Sequence, residues 1–595
     1  MEITRQEFLQ KLPQVERAIK ECDIIAIDTE LSGLHRPPTP IRLYSMKDRY
    51  EEYKEATKRF LIIQFGLCTF TWDAASNRYI AKPFNSYIFP TSITGQINSN
   101  RVFMTQAQAF DFLTKQAFDF NKWVYQGIPY LSKDEEKVLV AEASKKLRDD
   151  MPDIQIDEKE MEFVESVRQR VRAFLEDNVQ DDDMSDSPVA TEENNKDDSN
   201  SNNVKTSENK NGINIVTKNA YQRRLVYQEV RKYEGLSPIG KQGFIRVLKL
   251  TKAQEANRKR EKLEKFEKDC TYAVGFRKII DMIIESRKPL IGHNMLLDIC
   301  HMIAQFVEPL PDTLHDFKTL VHRLFPNMID TKYMCMSQRE LRSIFVDGTG
   351  TGTMLETLFF ETKKGAFQNP YVDVHAEFPR YLTEMAHEAG YDAYMTGFVF
   401  LKLLGFLDKA RHPRKYEIHA AAKKTEEERR EKERLKAAEQ RVDADGWDIS
   451  DEDNADDHGW NEEEDSDVFD YGSVRLNLTD IYKDSILSDI TNKAALVRTA
   501  YEYFDFAGSE HISPNVDALY IIKKKEGAPF NEEILSALFS KYGKHIIEVN
   551  DHNSAFVVFE RLQDKIETIT IQSEDFTITS LSTYLATIKD ASTDQ

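Results

Sequence analysis

The sequence predicts an α/β fold, and three observations carry that prediction. Strand-length apolar runs alternate with helix-period segments near the N-terminus and again from Lys288 onward. Between these blocks the chain turns strongly charged, as an insertion would. After residue 472 a smaller strand–helix–strand pattern follows. One α/β domain split by an insertion, with a small C-terminal α+β domain, accounts for all three.

In chain order, Cys22–Glu30 reads as the first strand. Phe60–Trp72 and Arg78–Phe89, rich in β-branched and aromatic residues, read as the next two. Ala107–Phe120 carries apolar residues at helical spacing, so the sheet should be mixed with an antiparallel start. Asp153–Leu175 predicts a charged amphipathic helix, and the acidic stretch 176–212 is too polar to fold. Structure resumes in AYQRRLVYQEVRKY (220–233) and in the strand-like GFIRVLKL (243–250), followed by a solvated helix over Lys252–Lys268. KPLIGHN (288–294) predicts a short strand opening into the helix MLLDICHMIAQF. NMIDTKYM (327–334) predicts another strand, and Tyr381–Leu407 a long helix. A second charged helix, Ala421–Gln440, runs into an acidic linker. The C-terminal unit is expected from Ala518–Ile522, Asn531–Lys541 and Ala555–Phe559. The expected boundaries are thus 1–150, an insertion at 151–250, 251–412, a linker region at 413–472, and 473–595 with its compact part near 512–580.

The 595 residues carry a net charge of −21, which looks wrong for a nucleic-acid partner. Its location removes the objection. Residues 176–210 carry −8 and residues 441–470 carry −13, so the rest is neutral on balance and a phosphate-binding cleft is allowed. The five cysteines include no CxxC pair, which argues against a disulfide frame or a zinc knuckle and fits a reducing compartment. MEITRQEFLQ lacks the apolar core of a signal peptide, and Lys402 interrupts the longest apolar run. An intracellular, cytoplasmic protein is expected, with the nucleus or RNA granules as alternatives.

The chemistry begins in IIAIDTELSGL (24–34). Residues two apart on a strand face one side, so Asp28 and Glu30 project together where α/β sheets place ligand crevices. Two such carboxylates repel unless a cation or proton intervenes, and hard cations such as Mg²⁺ take oxygen ligands. Exposed strand-end acids would look the same. Asp298 lies in the apolar helix LIGHNMLLDICH, where an unpaired charge is costly unless it faces water. His387 precedes Asp392 by five residues in HEAGYDAYMTG, where a capping histidine is the plainer alternative.

Together these features resemble the three exonuclease motifs of the DEDD superfamily, in its histidine-containing branch. IIQFGLCTF, FDFNKWVYQGIPYL, LIGHNMLLD, FPNMIDTK and HEAGYDAYMTG, in that order, are similar to the poly(A)-specific ribonuclease family. The resemblance covers most of residues 20–407. It implies a ribonuclease-H-like fold split by an inserted Arg-x3-His-type domain and followed by an RRM-like domain. It implies a 3′→5′ exoribonuclease that releases 5′-monophosphates from poly(A) tails or from 3′ extensions of small RNAs such as PIWI-associated precursors. Asp28, Glu30, Asp298 and Asp392 would bind two divalent cations, Mg²⁺ or else Mn²⁺, with His387 as general base. His293 and Asn294 would orient substrate or backbone, and Asp330 would be structural. A homodimer is implied as well.

Departures from the family pattern bear on substrate choice. Family members usually carry Phe where this chain has Leu31, which can press on a base but lacks a π face. The Arg-x3-His motif would fall on Arg223–Tyr227 and lacks its histidine, leaving Arg223 and Arg224 to contact phosphate. Tyr520 and Phe556 sit on the strands that stack bases in an RRM. Val549 stands where vertebrate-type relatives use a cap-stacking tryptophan, so cap stimulation is not expected. The acidic linker 441–470, with Trp447 and Trp460, reads as a tether or as a docking segment for a protein partner. Two other functions fit part of the pattern: a non-catalytic RNA-binding scaffold and a DNA 3′ exonuclease. The intact acidic set speaks against the first and the RNA-type accessory domains against the second.

Overall fold

A computed structural model describes residues 1–34, 46–91, 101–147, 153–177, 212–347 and 352–445 apart from 384 and 386. It further describes 473–478, 485–496 and most of 499–584. Most of the acidic stretch 176–212, and the linker from 446 with Trp447 and Trp460, lie outside the described residues.

The chain divides into two compact units, Met1–Glu136 with Tyr272–Gln595, and Lys137–Thr271. The first is built on a mixed sheet. Its five central strands are, across the sheet, Arg78–Tyr87, Ile62–Asp73, Ile24–Leu31, Leu290–Gly292 and Met328–Asp330. The first three pair antiparallel and the last two add parallel to Ile24–Leu31, the 3-2-1-4-5 order of a ribonuclease-H-like sheet. The helix Ala389–Arg411 lies over the long strands, its apolar side chains continuous with theirs in one core. Two glycines permit this closeness. A Cβ on Gly66 would lie 1.7 Å from the Ala389 carbonyl oxygen, and one on Gly397 would lie 2.0 Å from the Phe70 ring.

Ahead of the strand–helix–strand pattern, the first part of the expected 473–595 region extends the main sheet. Lys493–Ala495 adds parallel to Met328–Asp330, and Tyr503–Asp505 closes that edge antiparallel. Asn492 fixes the register, its side chain donating to the Pro326 carbonyl at 2.8 Å and accepting from the Met328 amide at 3.1 Å. Beyond it, a four-stranded antiparallel sheet runs His545–Val549, Ser554–Phe559, Ala518–Lys523, Phe576–Ser580. The helix Glu532–Phe539 covers one face through Leu535 and Phe539.

The second unit starts earlier and ends later than the expected insertion at 151–250. Its three-stranded antiparallel sheet has Phe244–Lys249 at the centre, flanked by Gly212–Val216 and Leu236–Lys241. The helices Met161–Asp177 and Ala220–Val230 pack on it through Val167, Val171, Val226 and Val230. No helix among the described residues is long and apolar enough to cross a membrane.

Candidate active site

The strand Ile24–Leu31 is fully buried through Ile27 and opens at Asp28, Thr29 and Glu30. Asp28 pairs in register with Gly66, the point where the N-terminus of the Ala389–Arg411 helix presses on the sheet. Asp392, one turn into that helix, is thereby carried to the strand end. Carboxylate oxygens of Asp28, Glu30 and Asp392 all lie within 4.8 Å of one another. Burial, and then mutual repulsion with Asp392 and Asp298, pushes Glu30 from 4.5 up to about 8 and holds Asp28 well above the carboxylate range. Burial raises Asp392 to about 7, opposed by the hydrogen bond from the His387 amide. No lysine or arginine offsets this repulsion among the described residues. Three crowded oxygen donors without a counter-ion are the chemistry of a hard-cation site, so the residues fit a divalent metal.

Asp298, the fourth expected ligand, stands beside this group and outside its mutual 4.8 Å. Its Oδ1 accepts the Thr29 hydroxyl. Burial raises it to about 6, with that hydrogen bond opposing.

His387 is held in left-handed backbone geometry at φ 63°, uncommon for a residue with a Cβ. Its amide donates to Asp392 Oδ1 at 3.2 Å. Its ring meets Phe112 edge-on, centroids 5.2 Å apart and planes at 82°. Phe112 is 44% exposed on the helix Ala107–Lys115. It escaped the sequence reading because an aromatic on a helical face signals core, and only the fold brings it to the histidine.

His293 and Asn294 shape the turn after Leu290–Gly292. His293 Nδ1 bonds Thr331 Oγ1 at 2.9 Å, and burial lowers its pKa to about 3, so the ring is neutral. Asn294, at φ 60°, donates its amide to Asp330. The fully buried Asp330 accepts from the amides of Asn294, Met295, Lys332, Tyr333 and Ala495, and so ties together three chain segments.

The expected substrate-binding residues fare differently. Leu31 is 9% exposed and joins the core, beyond a register shift that separates it from Glu30. Arg223 Nη1 donates to the carbonyls of Lys241 (2.8 Å) and Phe244 (3.4 Å), so this guanidinium anchors a hairpin. Arg224 lies one position along the same helix. Tyr520 and Phe556 are cross-strand neighbours with rings 4.9 Å apart. Tyr584 stacks on Tyr520 at 3.7 Å and 29°, so the base-stacking face is covered from within. Leu581 is buried on the same side, in the main core. Val549 is 48% exposed.

Comparison with known proteins adds an independent line. The CAF1 family ribonuclease model matches residues 3–400. The chain is 33% identical over 455 residues to Poly(A)-specific ribonuclease PARN of Xenopus laevis, covering 71% of this chain and 65% of that protein. It is 34% identical over 450 residues to the Homo sapiens PARN, again covering 71% and 65%. The Pre-piRNA 3′-exonuclease trimmer of Bombyx mori is 26% identical over 410 residues, covering 68% and 71%. The chain thus spans 65% of the length of these two PARN relatives.

Proposed function

We propose a function from one premise: the chain belongs to the CAF1 family of ribonucleases. It is a divalent-metal-dependent 3′→5′ exoribonuclease that trims RNA 3′ ends and releases nucleoside 5′-monophosphates. The observation that carries this reading is the group of Asp28, Glu30 and Asp392, gathered within 4.8 Å of one another without a counter-cation, with the His387 amide on Asp392. Mg²⁺ or Mn²⁺ ions held by these three and by Asp298 would supply a water of lowered pKa and charge stabilisation for the departing 3′ oxygen. His387 accepts the proton of the attacking water, and Phe112 braces its ring. The turn at His293 and Asn294 orients backbone or substrate, and the neutral His293 adds no charge there.

Two substrate classes suit the relatives' names, a poly(A) tail and the 3′ extension of a small RNA. Burial of Leu31 removes one base contact that would favour adenine. The inserted unit is read as an Arg-x3-His-type module whose arginine has become structural, and the C-terminal sheet as RRM-like from its strand order. The same reading includes a homodimer and a cytoplasmic location. Purified protein with Mg²⁺ should shorten oligo(A), a mixed-sequence RNA, or both, and a 2′-O-methylated 3′ end reports on 2′-OH use. Preference for oligo(A) means deadenylation, and equal shortening means trimming. Absence of turnover would leave a binding scaffold as the better reading, and full activity in Asp28→Asn would refute the assignment of the site.

A further inference from the structure

The loop that delivers His387 is braced by a set of side chains with no direct part in the chemistry above. Glu388, the next residue, is the N-cap of the Ala389–Arg411 helix, and its backbone carbonyl accepts the amides of Tyr391 (2.8 Å) and Asp392 (3.0 Å). A capping side chain would ordinarily turn onto those first amides. This one does not. The free amides are met from the sheet instead, Ala389 by Gln64 Oε1 at 2.9 Å and Gly390 by Asn85 Oδ1 at 3.2 Å.

The carboxylate released from capping turns back along the loop. Glu388 Oε1 accepts the Tyr381 hydroxyl at 2.6 Å and Arg380 Nε at 3.3 Å, while Oε2 accepts Arg380 Nη2. Arg380 reaches on to Glu2, at 3.9 Å, and Glu2 is bound by Lys122 at 3.1 Å. Tyr381 lies parallel to Tyr391, centroids 6.4 Å apart. Residues 380 and 381 at the loop's start are thus tied to residue 388 at its end, with His387 between. Glu388 is 8% exposed and fully partnered, which sets it apart from the cation-free acids nearby and excludes it as a metal ligand.

We propose that Glu388 is a positioning residue: clasped by Tyr381 and Arg380, it fixes the His387 backbone at positive φ, keeps its amide on Asp392 and sets the imidazole against Phe112. The proposal rests on the nuclease reading, since it assigns His387 a task that needs placement. A misplacement of about 1 Å at a reacting group is enough to cost about 100-fold in rate.

The test uses the full chain and two readouts. With Mg²⁺ and oligo(A), Glu388→Ala should lower kcat about 100-fold with KM within about twofold, because substrate contacts are untouched. Glu388→Gln keeps an oxygen for the Tyr381 hydroxyl and Arg380 Nε, gives up only the acceptor facing Arg380 Nη2, and should stay within about fivefold of the parent, and Tyr381→Phe should fall between Gln and Ala. Independently, hydrogen–deuterium exchange of peptides spanning 379–392 should rise in Glu388→Ala, stay at the parent level in Glu388→Gln, and leave the Ile24–Leu31 strand unchanged. A Glu388→Ala protein with parental kcat, a loss confined to KM, or Gln as damaging as Ala would overturn the proposal. Should Glu388→Ala fail to fold, Tyr381→Phe with unchanged kcat and unchanged loop exchange would overturn it equally. Should the parent degrade no RNA, the nuclease reading falls, while exchange in the loop still decides whether Glu388 holds it.

Discussion

Replacing Asp392 by asparagine should stabilise the metal-free protein at alkaline pH, although it removes a residue central to the site. Glu30 rises from 4.5 to about 8 and Asp392 from 3.8 to about 7 in the folded chain. A carboxyl with a raised folded-state pKa keeps its proton longer when folded. Its contribution to stability is therefore fully present below the unfolded value and is lost as pH rises through the folded one. For Glu30 that window runs from 4.5 to about 8. At about 1.4 kcal/mol per pH unit, this acid alone corresponds to roughly 5 kcal/mol. The acids share one repulsion, so their values do not add, and roughly 2–5 kcal/mol is the scale for the whole site. Thermal unfolding in EDTA should show the parent losing about 5 °C between pH 6 and pH 8.5, and recovering it on addition of Mg²⁺. Asp392→Asn should lose less than half as much and gain little from Mg²⁺. A parent insensitive to pH in EDTA, or a variant that falls as steeply, would refute the electrostatic account of the site.

Two other outcomes follow from contacts away from the reacting atoms. Asp330→Ala orphans five amides, three of them buried, and should cost roughly 4 kcal/mol or more, measured by urea unfolding, where a loss below about 1 kcal/mol would contradict the structural role. Tyr584→Ala uncovers Tyr520 and Phe556, and in EDTA should tighten binding of a short single-stranded RNA about fivefold or more, as one regained base stack would. Unchanged binding in a folded variant would mean that this sheet face no longer serves as an RNA platform.

What the sequence made legible follows from how local each signal is. The pairing of Asp28 with Glu30 could be read because strand alternation alone puts them on one side. The long strands could be read because β-branched and aromatic runs persist for many residues. Lys493–Ala495 could not: a lysine and two alanines carry no period, and their place is set by the neighbouring Asn492 bonding Met328 and by Asp330, far away in the chain. Asp298 is expected as a fourth ligand and stands outside the mutual 4.8 Å of the other three, and no local pattern reveals that Thr29, between the paired carboxylates, donates to it. The same limit explains Arg223 and Tyr520. Each has the residue type of a ligand contact, and each is occupied by a carbonyl or a ring that only tertiary structure supplies.

The late closure of the sheet also has a consequence for synthesis. Met328–Asp330 is a sheet edge until Lys493–Ala495 has left the ribosome, and four of the five amides on Asp330 are in place long before the fifth, Ala495, is made. During that interval the nascent chain offers an unpaired parallel edge, the surface on which neighbouring chains on one message would join. The segment translated in the meantime, 441–470, carries a net charge of −13. Chains tethered to such a segment repel one another while the edge is open. Neutralising the linker should therefore be felt first as a lower yield of folded protein during translation, before any loss of activity per folded molecule.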